Sequence, residues 1–289
     1  MNQAARVVIL AYAVATAVAV AVAVFFSDRH PLFIIAAADV AATCVIFAFS
    51  MRHNNSSFYD PYWSVIPPVV AVYLALLPEA IGASSLRTAL VVTLVSAWAI
   101  RLTYNWWRGW TGLDHEDWRY VNIRNKSGSA YPLASFAGIH MFPTVIVFAG
   151  MVPLWPALVT GTQPFGLLDI AAVVVTGGAI AIEAIADSQL SEFRRSSAPK
   201  GTILQTGLWK YSRHPNYFGE ASFWWGLFLF GLAAGDTNVA WSGAGALAIT
   251  IMFWFVSIPL LDNRSLERRE GYAAHMATVS SFIPLPRKS

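Results

Sequence analysis

The amino-acid sequence predicts an all-α fold, a multi-spanning transmembrane bundle of about seven to eight helices with no Rossmann domain. Apolar residues make up 56% of the chain and charged residues 12%, whereas soluble domains average about 45–50% and about 25%. The mean hydropathy of +0.53 agrees with this bias. Long apolar stretches recur along the chain, and most basic residues group between them. These features together are typical of a membrane protein.

The apolar stretches give the candidate spans, since a spanning helix needs about 20 mostly apolar residues. The first stretch is too long for the apolar region of a signal peptide, so we interpret it as a helix. The third and seventh are short, and we expect each to be tilted, re-entrant or buried in the bundle; seven spans would also fit. The candidates are Val7–Phe26, Leu32–Met51, Trp63–Leu77, Thr88–Trp107, Phe136–Val159, Leu167–Ile185, Ala221–Ala234 and Val239–Leu261.

The basic residues predict how the chain is oriented in the membrane. Most of them lie at the end of, or after, the fourth, sixth and eighth candidate spans, whereas the connections Pro78–Leu86, Thr160–Gly166 and Gly235–Asn238 contain no Lys or Arg. Because loops rich in Lys and Arg stay in the cytoplasm, an eight-span chain would have both termini on that side. The residues concerned are Arg101, Arg108, Arg119, Arg124, Lys126, Arg194, Arg195, Lys200, Lys210, Arg213, Arg264, Arg268, Arg269, Arg287 and Lys288.

No polar linker divides the chain, so we predict a single domain over 1–289, with peripheral helices at 1–51 and a core at 52–289. The single cysteine, Cys44, excludes both a disulfide framework and a metal site built from cysteines. The net charge of +3 is modest, and no nucleic-acid partner is predicted. Membrane lipids are the expected surroundings; the oligomeric state stays open, and a monomer fits the sequence.

Asp60 ends a polar run and directly precedes the third candidate span. An ionisable group at the membrane boundary is costly to bury, and burial would raise its pKa until it could donate a hydrogen bond. The alternative is a helix cap, in which Asp60 accepts hydrogen bonds from the amides that follow Pro61. Both interpretations are open.

Arg101 lies about two helical turns inside the aromatic end of the fourth span, Trp106–Trp110. Tryptophans there are typical interfacial anchors, and an arginine beside them usually extends its head group to water. Arg101 is deeper than that, so we predict an anion or a carboxylate as its partner. Further on, His115–Asp117 are adjacent loop residues without ligand geometry, and we predict no metal site.

Glu183 and Asp187 lie near the end of the sixth span, and Arg194 follows. On a helix these three residues share one face. Two acids and then a base favour an internal polar site that faces the bundle. A structural ladder of ion pairs is the alternative.

The segment Gly207–Glu220 carries the most specific pattern, GLWKYSRHPNYFGE. Pro215 biases His214 away from helix and makes Asn216 a candidate cap. Arg213, His214 and Asn216 at the start of a helix would form an anion pocket. With the arginines after the last span, this end has enough cations for a pyrophosphate and a further phosphate. Because no G-x-G-x-x-G or Walker sequence is present, a nucleotide here would not use a Rossmann domain.

This segment resembles the C-terminal signature shared by steroid 5α-reductases, sterol carbon-14 and carbon-7 reductases and isoprenylcysteine methyltransferases. From about Ser56 to the C-terminus, the chain looks most like the bacterial branch of the steroid 5α-reductase family. The resemblance implies an NADPH-dependent oxidoreductase acting on a CH–CH group in a bacterial-type inner membrane. Its implied substrate is a 3-oxo-Δ4 steroid or a related enone lipid, reduced at the carbon 4–carbon 5 double bond.

The resemblance also implies which residues hold the substrate. Asp60 precedes Pro67 at the spacing of the family's acidic residue, usually Glu, which hydrogen-bonds the 3-oxo group. The family's second donor is a Tyr three residues before an Arg, where this chain has Trp98 before Arg101. Trp98 and Tyr104 are therefore alternatives for the second catalytic donor.

For the cofactor, the family's Asn and Asp, four residues apart, fall on Glu183 and Asp187, so the Asp is kept and the Asn is changed. Arg264 matches an Arg that stands eight residues before a terminal Tyr, here Tyr272. The predicted NADPH-binding residues are Arg101, Glu183, Asp187, Arg194, Arg213, His214, Asn216, Glu220 and Arg264.

Three other functions compete with this one. A membrane methyltransferase using S-adenosylmethionine would share the Arg213–Tyr217 pattern, and a sterol carbon-14 or carbon-7 reductase would share the superfamily signature. A transporter or lipid-binding protein without catalytic activity is the third. Polar residues gathered at one end, and not at the bilayer midplane, argue against a transporter.

Overall fold

The computed structural model describes residues 3–235 and 239–287. Within these residues the fold is all-helical, with one isolated bridge between Ser212 and Ser280 and no β-strand. The predicted fold class is confirmed. Lys288 and the last three residues of the predicted loop Gly235–Asn238 lie outside the described residues.

The α-helices follow one another along the chain, joined in places by short 3-10 turns and π-helical segments. In the described part of the chain they are α1 (Gln3–Phe25), α2 (Pro31–Arg52), α3 (Tyr62–Ala75), α4 (Ser85–Gly109), α5 (Trp118–Ser127), α6 (Tyr131–Ala134), α7 (Phe142–Met151), α8 (Leu167–Arg195), α9 (Pro215–Ala233), α10 (Gly243–Met252), α11 (Ile258–Arg268) and α12 (Tyr272–Thr278).

Six helical regions in the described residues are long and apolar enough to cross a membrane. They coincide with six of the candidate spans, and the chain is therefore an integral, multi-pass membrane protein. Two of them are composite, because π-helical segments join shorter helices into one rod. The six regions are Gln3–Phe25, Pro31–Arg52, Ser85–Gly109, Trp118–Thr160, Leu167–Arg195 and Val239–Arg268.

The two short candidate spans correspond to α3 and α9. The 14 residues of α3 would extend about 21 Å, less than the roughly 30 Å of a bilayer's hydrocarbon core. Pro67 and Pro68 lie inside α3 and remove backbone donors there. Helix α9 buries Phe223, Trp224 and Phe230 almost completely, so it is an internal helix of the bundle.

The main core lies where α9 packs against α4, α7, α8 and α10. Its centre is aromatic: the rings of Trp98 and Phe223 stack with centroids 4.4 Å apart, and Trp224 meets Trp98 edge-on at 5.4 Å. Lipid tails are as apolar as these side chains, so close packing stabilises the core more than removal from water does. A second, smaller core joins α1 and α2 to the segment that contains Phe58 and Tyr62.

One end of the bundle is held together by Arg87, at the start of α4. Its guanidinium donates two hydrogen bonds to Asp169 at the start of α8, at 2.6 and 2.9 Å. It also donates to the carbonyls of Gln163 and Ala233, both at 3.1 Å, and to that of Pro164 at 3.4 Å. Ala233 ends α9, so α4 and α8 run in one direction and α9 in the other. We call these residues the Arg87 staple.

Candidate active site

The other end of α4, α8 and α9 carries a group of polar side chains that extends from the buried interior to the surface. Each helix contributes residues about one turn apart, which places them on the face turned to the other two helices. We call this group the acidic cluster. Its members are Trp98, Arg101 and Asn105 from α4, Glu183 and Asp187 from α8, and Asn216, Glu220 and Trp224 from α9.

Arg101 has the carboxylate partners that its depth in the span predicted. Its Nη1 donates to Asp187 Oδ2 at 2.8 Å, and its Nη2 donates to Glu183 Oε2. Asp187 also accepts hydrogen bonds from the amides of Asn105 at 3.1 Å and Asn216 at 3.4 Å. Residues far apart in the sequence thus form one hydrogen-bonded unit.

Glu220 forms the inner end of the cluster. It accepts hydrogen bonds from the indole N–H groups of Trp98, at 3.0 Å, and Trp224, at 2.9 Å. Both indoles are fully buried. Since the only N–H of the Trp98 ring is donated to Glu220, that ring is not free to donate to a substrate oxygen.

The acidic cluster is not internally satisfied. It contains three carboxylates but one guanidinium, and Glu183 faces Glu220. Among the described residues, Glu183 Oε1 and Arg101 Nε are buried without a hydrogen-bond partner. A buried polar atom without a partner costs about 1–3 kcal/mol, so a bound ligand that both donates and accepts hydrogen bonds would stabilise this arrangement.

Gly219 allows α9 to approach α8 at the cluster. A Cβ atom on this residue would lie 2.5 Å from Glu183 Cγ and 3.0 Å from the carbonyl oxygen of Ala179. The glycine therefore brings Glu220 and Asn216 within reach of the acids of α8. The helix begins one residue before the predicted cap, because Pro215 takes the first helical position and His214 is the N-cap.

Asp60 belongs to a neighbouring group of polar side chains. The phenol of Tyr120 donates to Asp60 Oδ1 at 2.6 Å. The N-cap of α3 is Pro61, without a side-chain cap hydrogen bond, so the structure does not favour the capping interpretation of Asp60. Burial raises the pKa of Asp60 from 3.8 to about 6, although the hydrogen bond from Tyr120 opposes this rise. Its predicted role in catalysis remains untested.

Cationic side chains lie around the outer edge of the same end. Arg119 donates a hydrogen bond to Asp117 through Nε at 2.8 Å. Burial alone would raise the pKa of Asp117, but the hydrogen bonds and charge of Arg119 lower it. The guanidinium of Arg264 lies 3.7 Å from the centroid of the Trp118 ring. Arg194 is exposed at the end of α8. Arg264 and Arg194 are therefore placed where a phosphate could reach them from water.

Arg213 and His214 have a different environment from the anion pocket that the sequence predicted. Arg213 donates to both oxygens of Asp262, at 3.3 and 2.7 Å, and to the carbonyl of Met276 at 3.2 Å. His214 Nε2 lies 3.0 Å from Asp262 Oδ1, and Tyr272 donates to the same oxygen at 2.7 Å. In this arrangement both side chains join α9, α11 and the C-terminal segment.

The two candidates for the second catalytic donor are separated in the structure. Tyr104 is 57% exposed and its ring lies under the Arg108 guanidinium at 5.5 Å, so it does not join Asp60 or the acidic cluster. Trp98 lies in the cluster. Sequence reasoning did not select Tyr120, which contacts Asp60, or Asp262, to which Arg213 and His214 bind. Asp262 carried a usable signal, since it directly follows the last apolar stretch and an acid at the membrane boundary usually has a specific partner.

Comparison with known proteins places the chain in a family. A family model described as "Protein of unknown function (DUF1295)" matches residues 46–279. An uncharacterized protein of Schizosaccharomyces pombe is 25% identical over 281 residues, which cover 90% of this chain and 81% of that protein. No solved structure matches. The family match spans α3 to α12 and includes every member of the acidic cluster. The chain therefore belongs to the DUF1295 family.

Proposed function

We propose that this protein is an NADPH-dependent membrane reductase that reduces the carbon 4–carbon 5 double bond of a 3-oxo-Δ4 steroid or a related enone lipid. One observation supports the proposal most. Of the residues that the resemblance assigns to the cofactor, Glu183, Asp187, Asn216 and Glu220 lie together with Arg101 in one cluster, in which Glu183 Oε1 and Arg101 Nε have no hydrogen-bond partner among the described residues. That end of the bundle would face the cytoplasm of a bacterial-type cell.

The donors and acceptors of the cluster suit the uncharged parts of NADPH. A carboxamide and ribose hydroxyls both donate and accept hydrogen bonds, as Glu183 Oε1 and Arg101 Nε require. The phosphates would need cations, which Arg194 and Arg264 offer at the outer edge. We do not assign Arg213 and His214 to the phosphates, because their hydrogen bonds go to Asp262.

NADPH would supply a hydride to carbon 5 of the substrate. The protein would stabilise the negative charge that then develops on the 3-oxo oxygen. Asp60, with its raised pKa, and Tyr120, hydrogen-bonded to it, form a pair that can donate a hydrogen bond to that oxygen. Carbon 4 would take a proton from solvent, which completes the addition of two hydrogens. Tyr120 thus takes the place of the family's second donor in this proposal.

A second function deserves a test because of the charge of the cluster. Three carboxylates around one guanidinium, with Trp98 and Trp224 alongside, would also attract the sulfonium cation of S-adenosylmethionine. A methyltransferase of the isoprenylcysteine type is therefore the alternative. The arginines at the outer edge favour a phosphorylated cofactor instead.

The test is turnover by the purified, detergent-solubilised protein. NADPH consumption would be followed with progesterone as substrate, and the product analysed by mass, in the wild type, in Tyr120→Phe and in Asp60→Ala. We expect a product heavier by two hydrogens, formed slowly by Tyr120→Phe and not by Asp60→Ala, whereas Asp114→Ala, at an exposed loop position, should match the wild type. Methyl transfer from labelled S-adenosylmethionine, without NADPH consumption, would support the alternative.

A further inference from the structure

A cavity of about 250 Å³ lies between α1, α2 and α3, away from the acidic cluster. Its walls are almost entirely apolar, and small side chains on α1 and α2 leave the space open. Val20 and Val69 at its edge are 56% and 60% exposed. Because α1 and α2 are membrane-spanning, the cavity opens toward the hydrocarbon of the bilayer. Its lining includes Tyr12, Ala15, Ala19, Ala38, Asp39 and Tyr62.

Asp39 is an acid inside a membrane span, and the proposed reaction does not use it. It is 6% exposed and lines the cavity. The phenol of Tyr62 donates to Asp39 Oδ1 at 2.8 Å and lies 3.1 Å from the Asp39 carbonyl oxygen. Among the described residues, no hydrogen bond reaches Asp39 Oδ2. Acids within spans are rare and usually mark a site with a specific partner.

We propose that this cavity binds a neutral lipid alcohol, with its hydroxyl group on Asp39 and its hydrocarbon body against α1 and α3. Tyr62 has one hydrogen to donate, and Asp39 already receives it. A hydroxyl group can donate a hydrogen bond to Asp39 Oδ2, whereas a ketone has no hydrogen to donate. No Lys or Arg lines the cavity, so an anionic head group would find no counter-charge there.

This site is distinct from the proposed active site, although the two are neighbours. The phenol of Tyr12, which lines the cavity, donates to the carbonyl of Phe58 at 2.9 Å, two residues before Asp60. The inference does not rest on the proposed reductase activity. It predicts binding of an alcohol without NADPH and without turnover.

The test is saturation binding of tritiated cholesterol to the purified, full-length protein in detergent. We expect saturable binding that cholest-4-en-3-one, the 3-oxo counterpart, displaces roughly tenfold less effectively than unlabelled cholesterol. Asp39→Leu should weaken cholesterol binding by roughly tenfold or more, since loss of a hydrogen bond to a charged group raises Kd by about that factor. Val69→Trp, which would obstruct the opening from an exposed position, should weaken it as well.

The matched control is Asp28→Leu, which removes a carboxylate from the exposed turn between α1 and α2 and should leave binding unchanged. If Asp39→Leu fails to fold, Val69→Trp still tests the proposal, because the Val69 side chain lies on the outer surface and its replacement should not disturb folding. The proposal would be wrong if the wild type showed no saturable binding. It would also be wrong if Asp39→Leu or Val69→Trp, once folded, bound cholesterol as the wild type does.

Discussion

Helix α4 carries an arginine near each end, Arg87 and Arg101, and each joins α4 to α8 with a different set of partners. In the Arg87 staple, the side chains of Arg87 and Asp169 are 0% and 1% exposed, and every guanidinium nitrogen donates a hydrogen bond. In the acidic cluster, the side chains of Arg101 and Asp187 are 13% and 28% exposed, and Arg101 Nε has no partner among the described residues.

The difference separates a structural ion pair from a candidate site. A buried pair whose hydrogen bonds are all made resists replacement of one partner, because the other charge would remain buried alone. The acidic cluster keeps excess negative charge, unpartnered atoms and access to water, which are properties of a place where something binds. The same substitution can therefore be made at each end, and its effects on stability can be compared directly.

The largest expected effect is on the Arg87 staple. Arg87→Met should lower the free energy of unfolding by about 3–5 kcal/mol, because it leaves Asp169 buried without a counter-charge. Arg101→Met should cost less: it also leaves the buried Glu183 without its counter-charge, but Asp187 is partly exposed to water and keeps its hydrogen bonds from Asn105 and Asn216. Thermal or denaturant-induced unfolding in detergent micelles measures both. Equal losses would contradict the distinction between the two ends.

A smaller loss is expected from Gly219→Ala in the acidic cluster. The added methyl group would collide with Glu183, and overpacking of this kind costs about 1–3 kcal/mol. Gly177→Ala on α8 is the matched control: a Cβ atom there has no neighbour within 4 Å, so removing a helical glycine should stabilise by roughly 0.5–1 kcal/mol. The same unfolding measurement applies, and opposite signs for the two variants are the expected result.

The smallest effect is a pH dependence that comes from Asp60. Its pKa is raised from 3.8 to about 6 in the folded protein. The contribution of protonated Asp60 to the stability of the folded state is therefore complete below pH 3.8 and is lost as the pH rises through 6. We expect kcat/KM for the enone to fall by up to about tenfold per pH unit above 6, as the donating form disappears. Asp60→Asn should lose this step, and Asp114→Asn should keep it. An unchanged pH profile in Asp60→Asn would exclude Asp60 as the acid.

Most of the fold could be predicted from the sequence because its signals are local. An apolar stretch of about 20 residues specifies a spanning helix without knowledge of its neighbours. The same reasoning marked α3 as too short, and the helix has 14 residues in the structure. The depth of Arg101 in its span predicted an anion or a carboxylate as its partner, and the structure shows the carboxylates of Glu183 and Asp187. The spacing of these two acids also placed both on one helix face.

The arrangement of the site could not be predicted, because its partners are distant in the sequence. Tyr120 reaches Asp60 across 60 residues, and Arg213 reaches Asp262 across 49. A short motif indicates which side chains carry chemistry but not whether another residue already occupies their hydrogen bonds. Arg213 and His214 illustrate this limit, since Asp262 takes the hydrogen bonds that a phosphate would need.

The most direct test of the acidic cluster as a cofactor site is the unfolding midpoint of the purified protein with and without NADPH. A ligand at a hundred times its Kd stabilises by about 2.7 kcal/mol. We predict that NADPH raises the midpoint of the wild type and of Glu192→Ala, an exposed position on α8, but not that of Asp187→Ala. An equal rise in all three proteins, or a rise with S-adenosylmethionine and none with NADPH, would contradict the proposal.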